Sequence, residues 1–256
     1  GLGDVYKRQP LAHFWLYTLR LFINRRMNKQ IKLANPRGFC AGVDRAIDIV
    51  NKALDIYGAP VYVKHEVVHN KVVVDDLKKR GAIFVEEINE IPDDSLVIFS
   101  AHGVSREVEE STKSRNLNYF DATCPLVRDI HDEIKELEKD GRKIIIIGDH
   151  GHDEVVGIAS QVKNPVIVAT SEEAMRLRKT KRAGIVSQST QTIENVQDIV
   201  NILMSKVVDL RFVNTICFPT KRNQEQIKEL SEKCDTMIVI GSFTSANSKR
   251  LTDLSK

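Results

Sequence analysis

The sequence predicts an α/β protein with parallel sheets, and the alternation of two residue patterns carries that prediction. Short β-branched runs alternate with longer segments whose apolar residues recur every three or four positions. The runs that predict strands are "APVYVK", "SLVIFSAHG", "RKIIIIGDHG", "NPVIVAT", "RAGIVSQST" and "DTMIVIGS". The segments that predict helices include "VDRAIDIVNKALDIYG", "DEIKELEKDG" and "RNQEQIKELSEKCD". Such alternation is typical of parallel sheets covered by helices.

An internal repeat supports the same fold. The stretches that begin at Cys124 and Cys217 align without a gap, because Ile-Lys-Glu-Leu starts ten residues after each cysteine and a glycine follows each by 24 residues. The stretch from Cys40 has the same plan more loosely, with a helical pattern followed by "VYVKHEVVHN". The sequence therefore predicts three related units, and each opens with a cysteine.

Equivalent strand ends in the three units carry side chains that form hydrogen bonds. Five of them lie 28 to 30 residues after a cysteine: His69, His152, Glu154, Ser245 and Asn247. Two more, His102 and Ser189, stand at the ends of later strands. In open α/β sheets, ligands bind beyond the carboxyl ends of the strands. Three units arranged around an axis would therefore direct these groups and the cysteines at one central cavity.

Composition narrows the classes of function. The 256 residues are 42% apolar and carry a net charge of only +3, with acidic and basic residues interleaved, so no nucleic-acid-binding surface is expected. Four widely spaced cysteines do not suit a secreted disulfide framework, and they favour reduced thiols in a cytoplasmic protein. The apolar stretch near the N-terminus is interrupted by polar residues and is too short to span a bilayer, so no membrane partner is expected.

The chain is expected to divide into four segments. Residues 1–30 are interpreted as a non-native or disordered leader, with Met27 resembling a natural start and a short organellar presequence as the alternative. Residues 31–124 are predicted to form the first α/β lobe, residues 125–216 the second, and residues 217–256 an incomplete third lobe.

Three convergent thiolates have few chemical uses. A zinc site would need a fourth ligand and usually contains closely spaced cysteine pairs, which this sequence lacks. An iron–sulfur cluster needs only convergence in space, and three thiolates would leave one iron of a cubane open to a substrate. Imidazoles, hydroxyls and an amide around that iron would suit an oxyanion such as a diphosphate.

Several blocks of the sequence resemble the LytB/IspH family of 4-hydroxy-3-methylbut-2-enyl diphosphate reductases. They are "ANPRGFCAGVDRAI", "HEVVHN", "FSAHGVS", "FDATCPLV", "GHDEV", "SQSTQT" and "NSKRL", and they extend in family order from about residue 31 to the end. The resemblance implies three α/β lobes around a central cluster. It also implies the last step of the methylerythritol phosphate route to isoprenoids, in which an allylic hydroxyl is removed to give isopentenyl and dimethylallyl diphosphates.

The resemblance also implies roles for single residues. Cys40, Cys124 and Cys217 match the ligands of a [4Fe–4S] cluster, whose fourth iron would bind the substrate hydroxyl, and Glu154 matches the proton source. The remaining matches are contacts to substrate and diphosphate: His69, His102, His152, Ser189, Ser245 and Asn247. The expected electron donor is a ferredoxin or flavodoxin.

The sequence departs from the family pattern at three points. Ser189 stands where the family has threonine, which keeps the hydroxyl, and Ala246 stands where a second serine is frequent. The chain is also expected to stop partway through the third unit. Two alternatives follow: an inactive, truncated diphosphate-binding fragment, and a zinc or thiol-redox protein that uses the same cysteines.

Overall fold

The computed structural model describes residues 30–256, and residues 36–256 form one compact unit. Residues 1–29 of the interpreted leader lie outside the described residues. None of the helices in the described part of the chain is both long and apolar enough to cross a membrane.

The first sheet has four parallel strands in the order β2-β1-β3-β4. Its strands are β1 (Val61–Lys64), β2 (Ala82–Val85), β3 (Leu96–Phe99) and β4 (Asn118–Asp121), and its helices are α1 (Ala41–Tyr57), α2 (Lys71–Lys79) and α3 (Arg106–Ser114). A short 3-10 helix, Ile88–Glu90, follows β2. The central strand β1 buries Val61 and Val63 completely, because helices cover the sheet.

The second sheet repeats this topology with the strand order β6-β5-β7-β8. Its strands are β5 (Lys143–Ile147), β6 (Val166–Val168), β7 (Thr180–Ser187) and β8 (Val207–Phe212), and its helices are α4 (Pro125–Lys139), α5 (Asp153–Ala159), α6 (Ser171–Arg176) and α7 (Ile193–Met204). The shared strand order confirms the prediction of a repeated α/β unit built on parallel sheets.

Helix α4 shows how the sequence positions a cysteine. Pro125 suits the first helical position, because its missing N–H has no partner there in any helix. Ile130, Ile134 and Leu137 recur at helical spacing and are buried against the second sheet. At Gly184 on β7, a Cβ atom would lie 2.9 Å from the Leu137 Cβ atom, so only glycine allows this close approach. The helix is therefore held firmly behind Cys124.

The third unit differs from the prediction. It contains α8 (Phe218–Ser231) and α9 (Ala246–Leu254), but the expected strand "DTMIVIGS", residues 235–242, is not a strand. Ile238 and Ile240 are 68% and 83% exposed. A strand forms only against a hydrogen-bonding neighbour, and no described strand lies beside this segment. The prediction of a strand there is wrong for this structure.

Candidate cysteine, histidine and glutamate site

Each of the three repeated cysteines is the N-cap residue of a helix. Cys40 precedes α1, Cys124 precedes α4, and Cys217 precedes α8. The N-terminus of a helix carries a partial positive charge, which favours the thiolate form of a nearby cysteine. The helix positions are therefore suited to thiolate ligands.

Backbone hydrogen bonds attach two of these cysteines to the loops that follow the third strand of each sheet. The Cys124 N–H donates to the Ala101 carbonyl, and the Cys217 N–H donates to the Ser189 carbonyl, both at 3.0 Å. Ala101 is adjacent to His102, and Ser189 is itself a predicted site residue. In both units, an equivalent backbone hydrogen bond therefore joins the turn that carries the cysteine to the loop that carries a predicted site residue.

The three thiols lie close to one another and to Glu154. A Cβ atom at Gly42 would lie 2.6 Å from the Cys124 Sγ atom and 3.9 Å from the Cys40 Sγ atom. Burial raises the pKa of both the Cys124 and Cys217 thiols, and nearby Cys40 and Glu154 raise them further. The structure thus brings together residues that are 177 positions apart in sequence.

The spacing of the thiols suits a cluster better than a single ion. Two thiolates on one zinc ion are at most about 4.6 Å apart, since each Zn–S bond is about 2.3 Å long. Among the described residues, the three cysteines do not form a group whose ligand atoms are close enough together to hold a single metal ion. Cys234 follows the far end of α8, roughly 20 Å from Cys217 at about 1.5 Å per residue, so it supplies no fourth thiolate. Three convergent thiolates without a fourth cysteine suit an iron–sulfur cluster.

We expect Gly42→Ala to reduce iron incorporation severalfold, because its Cβ atom would overlap the Cys124 sulfur. The matched control is Gly157→Ala in α5, where the added Cβ atom would meet only ordinary contacts at 3.6 Å or more. Iron per chain after anaerobic reconstitution measures the difference. Equal iron contents in the two variants would contradict the predicted crowding.

Glu154 lies in the first turn of α5 and is 2% exposed. The Ser189 N–H donates to its Oε1 atom at 2.5 Å, and the Ser189 hydroxyl donates to its Oε2 atom at 2.8 Å. Burial raises the pKa of the Glu154 carboxyl, although the two Ser189 hydrogen bonds and nearby Arg250 act in the opposite direction. A buried carboxyl with a raised pKa stays protonated to higher pH than a surface glutamate, which suits a proton donor.

His69, His102 and His152 form a cluster of three rings. The His69 and His102 rings are stacked with centroids 4.0 Å apart, and the His152 ring meets them edge-on at 5.3 Å and 5.9 Å. Burial lowers the pKa of His102 well below its usual value, and its two neighbours add to the effect. The His102 Nδ1 atom is buried and has no hydrogen-bond partner among the described residues. The cluster therefore offers ring nitrogens to a ligand.

The ring geometry favours an anion over a metal ion at this cluster. Ligand atoms of His69, His102 and Asp153 lie within 4.8 Å of one another, which is close enough for one ion. The His69 and His102 rings, however, are only 19° from parallel, and their nitrogen lone pairs lie in the ring planes. Stacked rings direct those lone pairs side by side rather than at one point. Separate oxygens of a large oxyanion suit them better.

Ser245 and Asn247 lie at the start of α9. The Ser245 side chain accepts a hydrogen bond from the Ser248 N–H at 3.2 Å, which caps the helix. The Asn247 Oδ1 atom is buried without a partner among the described residues. No hydrogen bond in the part of the chain described here links either residue to the histidines. These two predicted site residues stay a prediction.

Arg250 joins α9 to the second unit. Its Nη2 atom donates to both carboxylate oxygens of Asp149 at 2.7 Å and 2.8 Å, and its Nη1 atom donates to the Thr190 hydroxyl at 3.2 Å. Asp149 and Thr190 adjoin the loops that carry His152 and Ser189. This ion pair thus attaches α9 to the second unit beside the site.

Sequence reasoning missed two further residues that assemble the site. The Arg45 Nη1 atom donates to the Thr123 carbonyl at 3.1 Å. This hydrogen bond attaches α1 to the turn that carries Cys124. Thr220 contacts the Cys217 sulfur. Arg45 and Arg250 lay inside the quoted blocks, but spacing alone gave no indication of their long-range partners.

The comparisons with known proteins agree with this geometry. A family model described as "LytB protein" matches residues 31–256. The chain belongs to the LytB family. Among LytB relatives, the 4-hydroxy-3-methylbut-2-enyl diphosphate reductase of Marinobacter nauticus is 48% identical over 236 residues, which are 89% of this chain and 75% of that protein. The reductase of the same name from Pseudomonas aeruginosa strain LESB58 is 47% identical over the same shares.

Two solved structures extend the LytB match to the fold. The E-1-hydroxy-2-methyl-but-2-enyl-4-diphosphate reductase of Plasmodium falciparum superposes with a TM-score of 0.86 at 38% identity, over 90% of this chain and 74% of that one. An (E)-4-hydroxy-3-methyl-but-2-enyl diphosphate reductase, described as the terminal enzyme of the non-mevalonate pathway, gives 0.68 at 32% identity, over 88% and 81%. The resemblance to a LytB enzyme and the α/β fold class are both confirmed.

Proposed function

We propose that this chain is a LytB reductase that removes the allylic hydroxyl of 4-hydroxy-3-methylbut-2-enyl diphosphate. The reaction consumes two electrons and two protons, breaks the C–O bond, and gives water with isopentenyl or dimethylallyl diphosphate, the last step of the methylerythritol phosphate route. One observation carries the proposal: three N-cap cysteines meet a buried carboxyl, Glu154, next to three clustered imidazoles. The named relatives support the substrate.

The three cysteines would hold an iron–sulfur cluster. They do not form a described group suited to a single ion, and backbone hydrogen bonds at the helix N-termini lower the pKa of the Cys124 and Cys217 thiols against the larger effect of burial. Such a cluster would deliver electrons one at a time and, with three cysteine ligands to a [4Fe–4S] core, would leave one iron open as a Lewis acid for the substrate oxygen.

Glu154 would supply the proton that leaves with the hydroxyl oxygen. Its burial keeps the carboxyl protonated to higher pH than a surface glutamate, and the negative charge of a bound diphosphate would raise its pKa further. Once the proton has left, the two Ser189 donors stabilise the carboxylate. Because the acid form is the donor, turnover is expected to fall as the pH rises through the pKa of Glu154.

His69, His102 and His152 would bind the diphosphate. Without a ligand, burial lowers the pKa of both His102 and His152, so these rings are neutral near pH 7. A diphosphate would favour the protonated rings and accept their N–H groups on separate oxygens. Asn247 is the third-unit candidate for a substrate contact, because its Oδ1 atom is buried without a partner.

The proposed reaction needs an external electron donor. The two electrons consumed per turnover must come from a one-electron carrier, and a ferredoxin or flavodoxin has that chemistry. A cytoplasmic location stays a prediction, based on the sparse, unpaired cysteines. Neither a nucleic acid nor a membrane is a proposed partner.

An anaerobic assay tests the proposed function. The reconstituted protein is mixed with a dithionite-reduced viologen and 4-hydroxy-3-methylbut-2-enyl diphosphate, and the two isomeric products are separated by chromatography. We expect both products. Diphosphate binding without turnover would instead support the inactive fragment, and zinc without iron would support the thiol-redox or zinc protein.

The Ser189 hydroxyl can be tested separately. Ser189→Ala removes the donor to the Glu154 Oε2 atom, so the pKa of Glu154 should rise further and the loss of activity should move to higher pH. The rate below that pH should fall about tenfold, because the carboxylate left by proton donation loses a charge-assisted hydrogen bond. Ser189→Thr keeps the hydroxyl and is the control. Identical pH–rate profiles in the alanine and threonine variants would contradict this role.

A further inference from the structure

Thr220 contacts the sulfur of Cys217. Its Oγ1 atom lies 3.0 Å from the Cys217 Sγ atom, and the residue is only 3% exposed. The hydroxyl makes no other hydrogen bond to a described side chain. Thr220 stands three residues after the N-cap cysteine, in the first turn of α8, where its side chain turns back towards the cap.

The other two units lack this hydroxyl. The positions three residues after Cys40 and Cys124 are Val43 and Val127, which have nearly the shape of threonine but cannot donate a hydrogen bond. Among the described residues, neither Cys40 nor Cys124 has a side-chain hydrogen bond comparable to that of Cys217. The three cysteines are therefore equivalent in backbone position and unequal in hydrogen bonding.

We propose that Thr220 is a positioning residue that donates its hydroxyl proton to the Cys217 thiolate and so raises the reduction potential of the bound cluster. This inference rests on the proposed iron–sulfur site. A metal-bound cysteine has no proton, so of the two atoms only the threonine oxygen can donate. Hydrogen bonds to ligand sulfur draw electron density from the metal centre and make it easier to reduce. The third unit would therefore set the potential through one hydroxyl.

The test compares the wild type with Thr220→Val and Thr220→Ser. The fold should tolerate valine at this position, because valine already stands at the equivalent positions of the other two units, Val43 and Val127. The serine variant keeps the hydroxyl and is the control. The midpoint potential of the reconstituted cluster is measured by a redox titration followed by electron paramagnetic resonance, which reports only the cluster-loaded protein. We expect a shift to more negative potential in Thr220→Val and a potential within error of the wild type in Thr220→Ser.

An unchanged midpoint potential in Thr220→Val would overturn the inference, and so would equal shifts in the valine and serine variants. The titration contains no substrate, so it reads the potential whether or not the chain turns over the diphosphate. A failed reductase assay would therefore contradict the proposed function, whereas an unchanged potential would contradict the role of Thr220.

Discussion

Glu154→Gln is expected to lower turnover by about 10²-fold to 10⁴-fold, the range that a positioned proton donor contributes. The amide has the shape of the carboxyl but holds no acidic proton. The glutamine carbonyl oxygen can still accept from the Ser189 N–H, and its amide N–H can donate to the Ser189 hydroxyl oxygen, so the local structure should persist. The measurement is the anaerobic reductase rate at saturating substrate, with iron content and substrate affinity determined on the same sample.

Glu172→Gln is the matched control for this variant. Glu172 occupies the second position of α6, as Glu154 does in α5, but its side chain is exposed. The control should keep the wild-type rate. A wild-type rate in Glu154→Gln, with normal iron content, would remove Glu154 from the role of proton donor.

Cys124→Ser is expected to lose most of the iron and all measurable turnover. Cys124 lies beside Cys40, since both sulfurs are near Gly42 and Cys40 helps to raise the pKa of the Cys124 thiol. Serine is a poor ligand for a soft iron–sulfur centre, because its hydroxyl stays protonated near neutral pH. Iron and acid-labile sulfide per chain, measured after reconstitution, give the readout.

Cys234→Ser is the control for the cysteine variant. Cys234 is also partly buried and unpaired, but it follows the far end of α8. Its loss should leave iron and sulfide unchanged. If the two variants lost equal amounts of iron, the assignment of Cys124 as a ligand would be wrong.

The fold was largely predictable, because its signals are local. Runs such as residues 143–147 are so uniformly β-branched that they form a buried strand in almost any α/β context. The repeated cysteine offsets predicted that the second unit copies the first, and the two sheets share one strand order. The edge strands β2, β4 and β8 were not predicted, because none of them has the continuous buried β-branched run of a central strand.

The residues of the candidate site were predictable from strand ends, but their contacts were not. The offsets from Cys124 located Glu154 and His152, but they gave no indication that Ser189 would donate twice to Glu154. The apolar run at residues 235–242 predicted a strand, but strand formation depends on a hydrogen-bonding neighbour as well as on apolar residues. Long-range partners such as Arg250 and Asp149 are 101 residues apart and leave no periodic signal.

Iron, acid-labile sulfide and zinc per chain, measured together on the unmodified protein after anaerobic reconstitution, test the central claim most directly. We expect about four iron and four sulfide per chain with little zinc, the stoichiometry of one [4Fe–4S] cluster. Stoichiometric zinc with neither iron nor sulfide would contradict it, because the three N-cap cysteines would then serve a single ion.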